Sequence, residues 1–341
     1  MKNSLKKFFN LLQNTFFWKI ASKILLKLIN FLFEYIINLD RKLLLFFIKL
    51  PSPNFKIQKN KIVKLIDDKK YKQDLFTIVK ESLNENIIAT ARNKIKNSDN
   101  TRVFSCDLTQ FMSEEDRIKI INWAVSKQTI SNISGYFGYL PYLAGIVVYL
   151  NMPVAESLQE GSKSWHRDND VYKSIDIWMN ISEVDKGSGP LSVISSEHIK
   201  PNENIPQDKN FDKTGDAWID GRISDQHMKK FVNDDKVLTF MGPPGCMLIT
   251  DSALNYHKGG YCISSERIMM RIYYDAWSTN LSEILKLPRE KVLKKITDTN
   301  FGRHIIKDRD SKFFKKISYY LLKVLRYNIG TNSGTNSGTN I

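Results

Sequence analysis

Ser174-Ile-Asp-Ile-Trp-Met-Asn-Ile181 alternates polar and apolar side chains in the two-residue rhythm of a half-buried strand, and a turn sequence, Gly187-Ser-Gly-Pro190, follows it. Short apolar or alternating runs recur around it at Gly145–Asn151, Leu191–Ser195, Cys246–Thr250 and Ile268–Asp275, with a second turn at Gly242-Pro-Pro-Gly245. Regular strand–helix alternation is missing, which disfavours a doubly wound sheet or an eight-fold barrel. Upstream, residues 72–96 and 113–128 read as helices, the second opening on Ser113-Glu-Glu-Asp116, close to a capping box. The pattern predicts an α+β chain with a mainly β core over about 140–277, an antiparallel sandwich or barrel behind a helical first part.

The chain has 341 residues, 42% of them apolar and 26% charged, a globular composition with enough length for a sizeable core. Three cysteines (Cys106, Cys246, Cys262) make no disulfide framework, and a reducing, cytoplasmic compartment is expected. The formal charge of +15 is unevenly spread: residues 1–50 carry nine Lys/Arg against two acids, and residues 281–330 carry thirteen against five. The rest of the chain is neutral. A nucleic-acid reader would carry its basic surface on the folded module, so no nucleic-acid partner is expected.

In the first segment Lys19, Lys23, Lys27, Asn30, Glu34, Asn38 and Arg41 form one narrow polar stripe on a helix, and nearly everything else is large and apolar. No run approaches the ~18 apolar residues of a spanning helix. Two readings stay open. The segment 1–50 is an interfacial helix held on an anionic membrane surface, giving peripheral attachment to its inner face, or it is a helix packed on the domain. Pro51-Ser-Pro53 marks its end. The domain is expected over 54–330, with C-terminal helices over 281–327 that include the basic run Lys312-Phe-Phe-Lys-Lys316. The Thr-Asn-Ser-Gly repeats of 331–341 read as a disordered tail.

Ser164-Trp-His-Arg-Asp168 sets His166 and Asp168 two apart, on one side of an extended strand. Far downstream come Asp251-Ser-Ala-Leu-Asn-Tyr-His257 and, ten residues past that histidine, Arg267. A His-x-Asp pair with one distant histidine is a two-histidine, one-carboxylate set. Such a set binds Fe(II) on one face and leaves positions for a 2-oxo acid and O₂. The far carboxylate of 2-oxoglutarate then calls for a guanidinium, which is Arg267, with Arg271 as its nearest rival on the same strand face. His198, His227 and His304 read as structural or solvated. His166-Arg-Asp168 also mimics a kinase catalytic loop, but Lys173 stands where the asparagine is required.

Trp165-His-Arg-Asp168, Asp176-Ile-Trp-Met-Asn-Ile-Ser-Glu-Val-Asp185, Gly189-Pro-Leu, Ser196-Glu-His198 and His257-Lys-Gly-Gly with Arg267 together resemble the phytanoyl-CoA dioxygenase family of Fe(II)/2-oxoglutarate oxygenases. The resemblance covers residues 140–277. It implies a double-stranded β-helix (jelly-roll or cupin-like) with flanking helices, metal ligands His166, Asp168 and His257, and a cosubstrate arginine at Arg267. It implies that Trp178 lies along the cosubstrate; a core tryptophan is the alternative. A hydroxyl two residues past the distal histidine is replaced by Gly259, and Ser265 is its candidate substitute. The expected activity is hydroxylation of an unactivated C–H of a small-molecule or lipid-linked substrate, with 2-oxoglutarate and O₂ as cosubstrates. The alternative is a catalytically silent β-helix protein that binds a membrane or a partner through its basic ends.

Overall fold

The computed structural model describes residues 39–57, 63–98, 105–153, 164–168, 173–199, 223–275 and 287–306. Helix α1 (Leu39–Phe47) leads to strand β1 (Val63–Leu65), helices α2 (Lys69–Ser82) and α3 (Glu85–Lys96), and strand β2 (Ser105–Asp107). Helices α4 (Glu114–Ala124) and α5 (Lys127–Phe137) precede strands β3 (Tyr142–Asn151), β4 (Ser174–Asn180) and β5 (Leu191–Ile194). A four-residue helix α6 (Asp225–Met228) is followed by β6 (Val237–Phe240), β7 (Met247–Thr250), β8 (Tyr256–Lys258) and β9 (Arg267–Asp275). Helices α7 (Arg289–Lys295) and α8 (Thr299–Ile305) close the described chain.

All strand pairings are antiparallel. One sheet runs β1-β7-β4-β9-β3-β2 and the other β6-β5-β8. The architecture is α+β. The run quoted first is a central strand, hydrogen-bonded to β7 on one side and β9 on the other. Its two-residue rhythm divides it between two environments. Ile175, Ile177 and Met179 join Ile268, Met270, Ile272 and Tyr274 of β9 and Ile146, Val148 and Leu150 of β3 in one core with the helices. Trp178 faces the other way with Leu248 and Met269, towards Leu191, Val193 and Phe240 of the small sheet. The large sheet is therefore covered by helices on one face and by the small sheet on part of the other.

Several local expectations need correction. The helix over 72–96 is two helices, because Asn84 leaves helical geometry and its side chain accepts from Ile87 N to start α3. The helix over 113–128 ends at Ala124; its Ser113 cap does accept from Asp116 N. A further helix, α5, starts at the Ser126 cap and ends at Gly138, whose φ of 74° suits glycine. The short strands β1 and β2 lie before residue 140 yet extend the large sheet at its two edges.

The chain at Pro51–Asn54 is strapped along α5: Ser131 donates to Pro51 O, Gln128 to Ser52 O and Asn54 N to Asn132. Of residues 1–50, 1–38 lie outside the described residues, as do 307–341 with the second basic run and the tail. Arg41, last in the polar stripe, is buried. Its guanidinium donates to the carbonyls of Leu140, Pro141 and His304 and stacks 4.0 Å over the Tyr142 ring. The opposite side of α1 exposes Leu39, Leu43, Phe46 (82%) and Phe47 (75%). Among the described residues no helix is long and apolar enough to cross a membrane.

Candidate metal centre

His166 and His257 meet as a backbone pair, each N–H donating to the other's carbonyl at 3.0 and 2.9 Å. That isolated bridge, rather than a full strand, sets the first histidine. Asp168 is fixed two residues on by its N–H donating to Ser252 O, 2.9 Å. The second histidine sits on β8 beyond a turn that Asp251 and Asn255 organise. Asp251 accepts from the N–H groups of Ala253 and Leu254, from Ser174 and from the Tyr136 hydroxyl. Asn255 donates to Thr250 and accepts from Ser196 N.

The sequence-predicted triad is brought together. Single ligand atoms of His166, Asp168 and His257 lie within 4.8 Å of one another, the one such group among the described residues. Asp168 Oδ1 is 3.8 Å from His166 Nε2 and 3.6 Å from His257 Nε2. Each imidazole turns its Nδ1 to a backbone carbonyl, Ser164 O at 2.8 Å and Asn255 O at 3.2 Å. A carbonyl only accepts, so Nδ1 carries the proton and Nε2 offers a lone pair towards Asp168, the arrangement of a metal-ligating histidine. Two neutral imidazoles and one carboxylate fit a divalent ion such as Fe(II).

The inner face of β9 carries two arginines with opposite surroundings. Arg271 donates through Nη2 to Asp168 Oδ2 (2.8 Å) and through Nε and Nη2 to Asp176 (3.1 and 3.0 Å). Burial works against its charge, but Asp176 and Asp168 outweigh burial and raise its pKa. Burial also opposes ionisation of Asp168, yet the Arg271 guanidinium beside it holds its carboxyl well below the usual carboxylate range. Asp176 is pushed up to about 6 by burial, with Asp168 adding to that and Arg271 opposing it.

Arg267 is the contrast. It is buried, and its one side-chain hydrogen bond among the described residues runs from Nη2 to the Asn151 carboxamide oxygen, 3.1 Å. Its Nε and Nη1 find no partner there. Burial lowers its pKa, and no carboxylate among the described residues opposes that.

The remaining predicted residues divide. Trp178 is half-buried against Leu248 and Met269, with the Arg271 guanidinium 5.0 Å from its ring and its Nε1 unpartnered among the described residues. Ser265 donates its hydroxyl to Asp185 Oδ1, 3.4 Å. His198 stands beside Glu197 in a 3₁₀ turn away from the triad. Sequence reading missed Asp176, although a carboxylate flanked by Ile175 and Ile177 in a central strand was a visible signal. Gly260, within His257-Lys-Gly-Gly, has a backbone reason: a Cβ there would lie 2.5 Å from the Gly189 carbonyl carbon.

No family model and no curated protein matches the chain. The phytanoyl-CoA dioxygenase resemblance stays with the motif residues that carry it. Among solved structures, EctD from S. alaskensis in its apoform is similar at 13% identity over 70% of this chain and 87% of that chain, TM-score 0.40. The same protein with 2-oxoglutarate and 5-hydroxyectoine gives 13%, 63% and 72%, TM-score 0.38. The epimerase SnoN in complex with Fe3+, alpha ketoglutarate and nogalamycin RO gives 14%, 61% and 84%, TM-score 0.35. Likeness at this level says nothing by itself about what this chain does.

Proposed function

We propose that this chain is a non-haem Fe(II)- and 2-oxoglutarate-dependent oxygenase with a double-stranded β-helix core. The reading is carried by one juxtaposition: a two-histidine, one-carboxylate set beside a strand whose first residue is a buried guanidinium with unpaired N–H groups. Bound Fe(II), with 2-oxoglutarate and O₂, supplies oxidative decarboxylation coupled to oxidation of a substrate C–H.

The chain's own residues then bind and orient. His166, Asp168 and His257 hold the ion from one side. Arg267 receives the 5-carboxylate of 2-oxoglutarate through its unpaired Nε and Nη1. It lies four positions before Arg271, about 13 Å along the same side of the strand at ~3.3 Å per residue. A buried carboxylate–guanidinium pair is strong because neither partner keeps water as a competitor. Trp178 and Met269 supply an apolar wall that limits water near the cosubstrate. The substrate class we favour is a small-molecule or lipid-linked compound hydroxylated at an unactivated carbon. Iron-dependent release of succinate from 2-oxoglutarate tests the activity. Comparing lipid and envelope-sugar extracts with and without the enzyme by mass spectrometry tests the substrate class.

The exposed ridge of α1 favours attachment as a second element of the reading. Leu39, Leu43, Phe46 and Phe47 follow the 4, 3, 1 steps of one helix face, while Arg41 ties the other face to the domain. We propose that this ridge, with the lysines of residues 1–50, rests on an anionic membrane surface. Vesicle flotation of the full chain tests it; recovery only in the unbound fraction at low salt overturns it.

A further inference from the structure

The buried Asp176 is not one of the three ligands, yet it shares Arg271 with one of them. We propose that Arg271 and Asp176 clamp Asp168 as a one-oxygen metal ligand, with Asp176 supplying the countercharge that keeps Arg271 from neutralising that ligand. The inference rests on the metal-binding reading of His166, Asp168 and His257.

The geometry is directional. Asp168 turns Oδ1 towards both Nε2 atoms and gives Oδ2 to Arg271 Nη2 at 2.8 Å. The same guanidinium edge meets Asp176 side-on, Nε to Oδ1 and Nη2 to Oδ2. One nitrogen thus bridges two carboxylates while Nε completes a side-on pair with Asp176, a two-nitrogen contact that lysine's single ammonium could not make. The guanidinium is held between two rings, 5.0 Å from the Trp178 centroid and 4.8 Å from that of Tyr273. Tyr273 in turn lies across Gly145, where a Cβ would sit 2.3 Å from its ring. Asp176 is fully buried and its register neighbour on β9 is Tyr273, so it has no route to solvent.

Two consequences follow from charge and valence. A carboxylate is able to chelate through both oxygens, and doing so takes a coordination position that a bidentate 2-oxo acid and O₂ require. Holding Oδ2 on Arg271 prevents this. A lone guanidinium so close behind the ligand would also repel the ion. With Asp176 present the trio of Asp168, Arg271 and Asp176 keeps one net negative charge for the metal. Partners of this outer kind change metal affinity by about 10–100-fold.

The experiment uses the full-length, metal-free protein titrated with Co(II), comparing wild type, Asp176→Asn, Arg271→Gln, the double variant and His257→Ala. Asp176→Asn leaves a cation uncompensated and should weaken Co(II) about tenfold. Arg271→Gln should move affinity by less than about threefold, and the double variant should return to within about threefold of wild type. Recovery in the double variant is what a merely structural role would not give. Infrared difference spectra, metal-loaded minus metal-free, add a second readout: the split between the carboxylate stretches should be wide in wild type and narrow in Arg271→Gln, as Asp168 becomes chelating. That arm needs only Arg271→Gln and decides the clamp even if Asp176→Asn does not fold. Equal weakening in Asp176→Asn and the double variant, or an unchanged split in Arg271→Gln, overturns the clamp. Equal Co(II) binding by wild type and His257→Ala overturns the metal-site reading instead.

Discussion

Arg267 and Arg271 stand four residues apart on one face of one strand, and the molecule treats them in opposite ways. Arg271 is hydrogen-bonded to two carboxylates, whereas Arg267 is buried beside an asparagine oxygen and keeps two N–H-bearing nitrogens without partners among the described residues. A buried, uncompensated charge costs several kcal/mol. A fold retains such a group where a ligand offsets the cost, whereas the charge of Arg271 is already offset by two carboxylates. On the proposed reading this contrast makes Arg267 the receptor and Arg271 the scaffold, a choice that sequence parity left open.

The largest effect expected from breaking this contrast lies at the ligands. Replacing His166, Asp168 or His257 with Ala should abolish both Fe(II) binding at micromolar metal and 2-oxoglutarate turnover, while His198→Ala should keep turnover within a few-fold. Next, Arg267→Ala should raise the Michaelis constant for 2-oxoglutarate about a hundredfold, a loss near 3 kcal/mol, with Fe(II) affinity little changed. A larger cosubstrate effect from Arg271→Gln would transfer the role. Asn151→Ala removes Arg267's one neutral acceptor and should raise the same constant by less than about tenfold.

How much of this was legible in the sequence depends on the kind of signal. The strand rhythm around Ser174–Asn180 and the His-x-Asp spacing are local, and both are found where the residue order put them. Pairing is not local. The bridge between His166 and His257 joins positions 91 apart, and the partition of arginines depends on Asp176, whose register beside β9 no spacing rule contains. The partner of Ser265 is of the same kind: proximity in sequence to Arg267 did not say that Asp185 would accept from its hydroxyl. Arg41 shows the converse. It continues a stripe of exposed-looking polar residues, but carbonyls at the end of α5 and of α8 bury it.

Smaller effects sharpen the picture away from the metal. Burial raises Asp251 to about 6 despite its hydrogen bonds from Tyr136 and the backbone. An unfolded aspartate titrates near 3.9, so the folded state holds a proton that the unfolded chain releases between these values. The contribution is present below about pH 4 and is lost as pH rises through 6, up to about 3 kcal/mol. Denaturation of wild type and Asp251→Asn between pH 4 and 7 checks it: wild type should lose stability relative to the variant as pH rises, by up to about 3 kcal/mol. On the membrane side, replacing Lys19, Lys23 and Lys27 with Gln should weaken binding to anionic vesicles by about 3 kcal/mol at low salt. Changing Phe46 and Phe47 to Ser should weaken it at every salt concentration.

On the proposed reading Arg267, with two unpartnered nitrogens among the described residues, and the set of His166, Asp168 and His257 serve one cosubstrate. Anaerobic titration of the Fe(II)-loaded protein with 2-oxoglutarate, followed by its visible charge-transfer absorption and by succinate release on admitting air, tests it most directly. Wild type should develop the band and release succinate. Arg267→Ala should bind Fe(II) normally and need about a hundredfold more 2-oxoglutarate for both. A wild-type protein that binds Fe(II) yet gives neither band nor succinate, or an Arg267→Ala variant indistinguishable from it, would contradict the account.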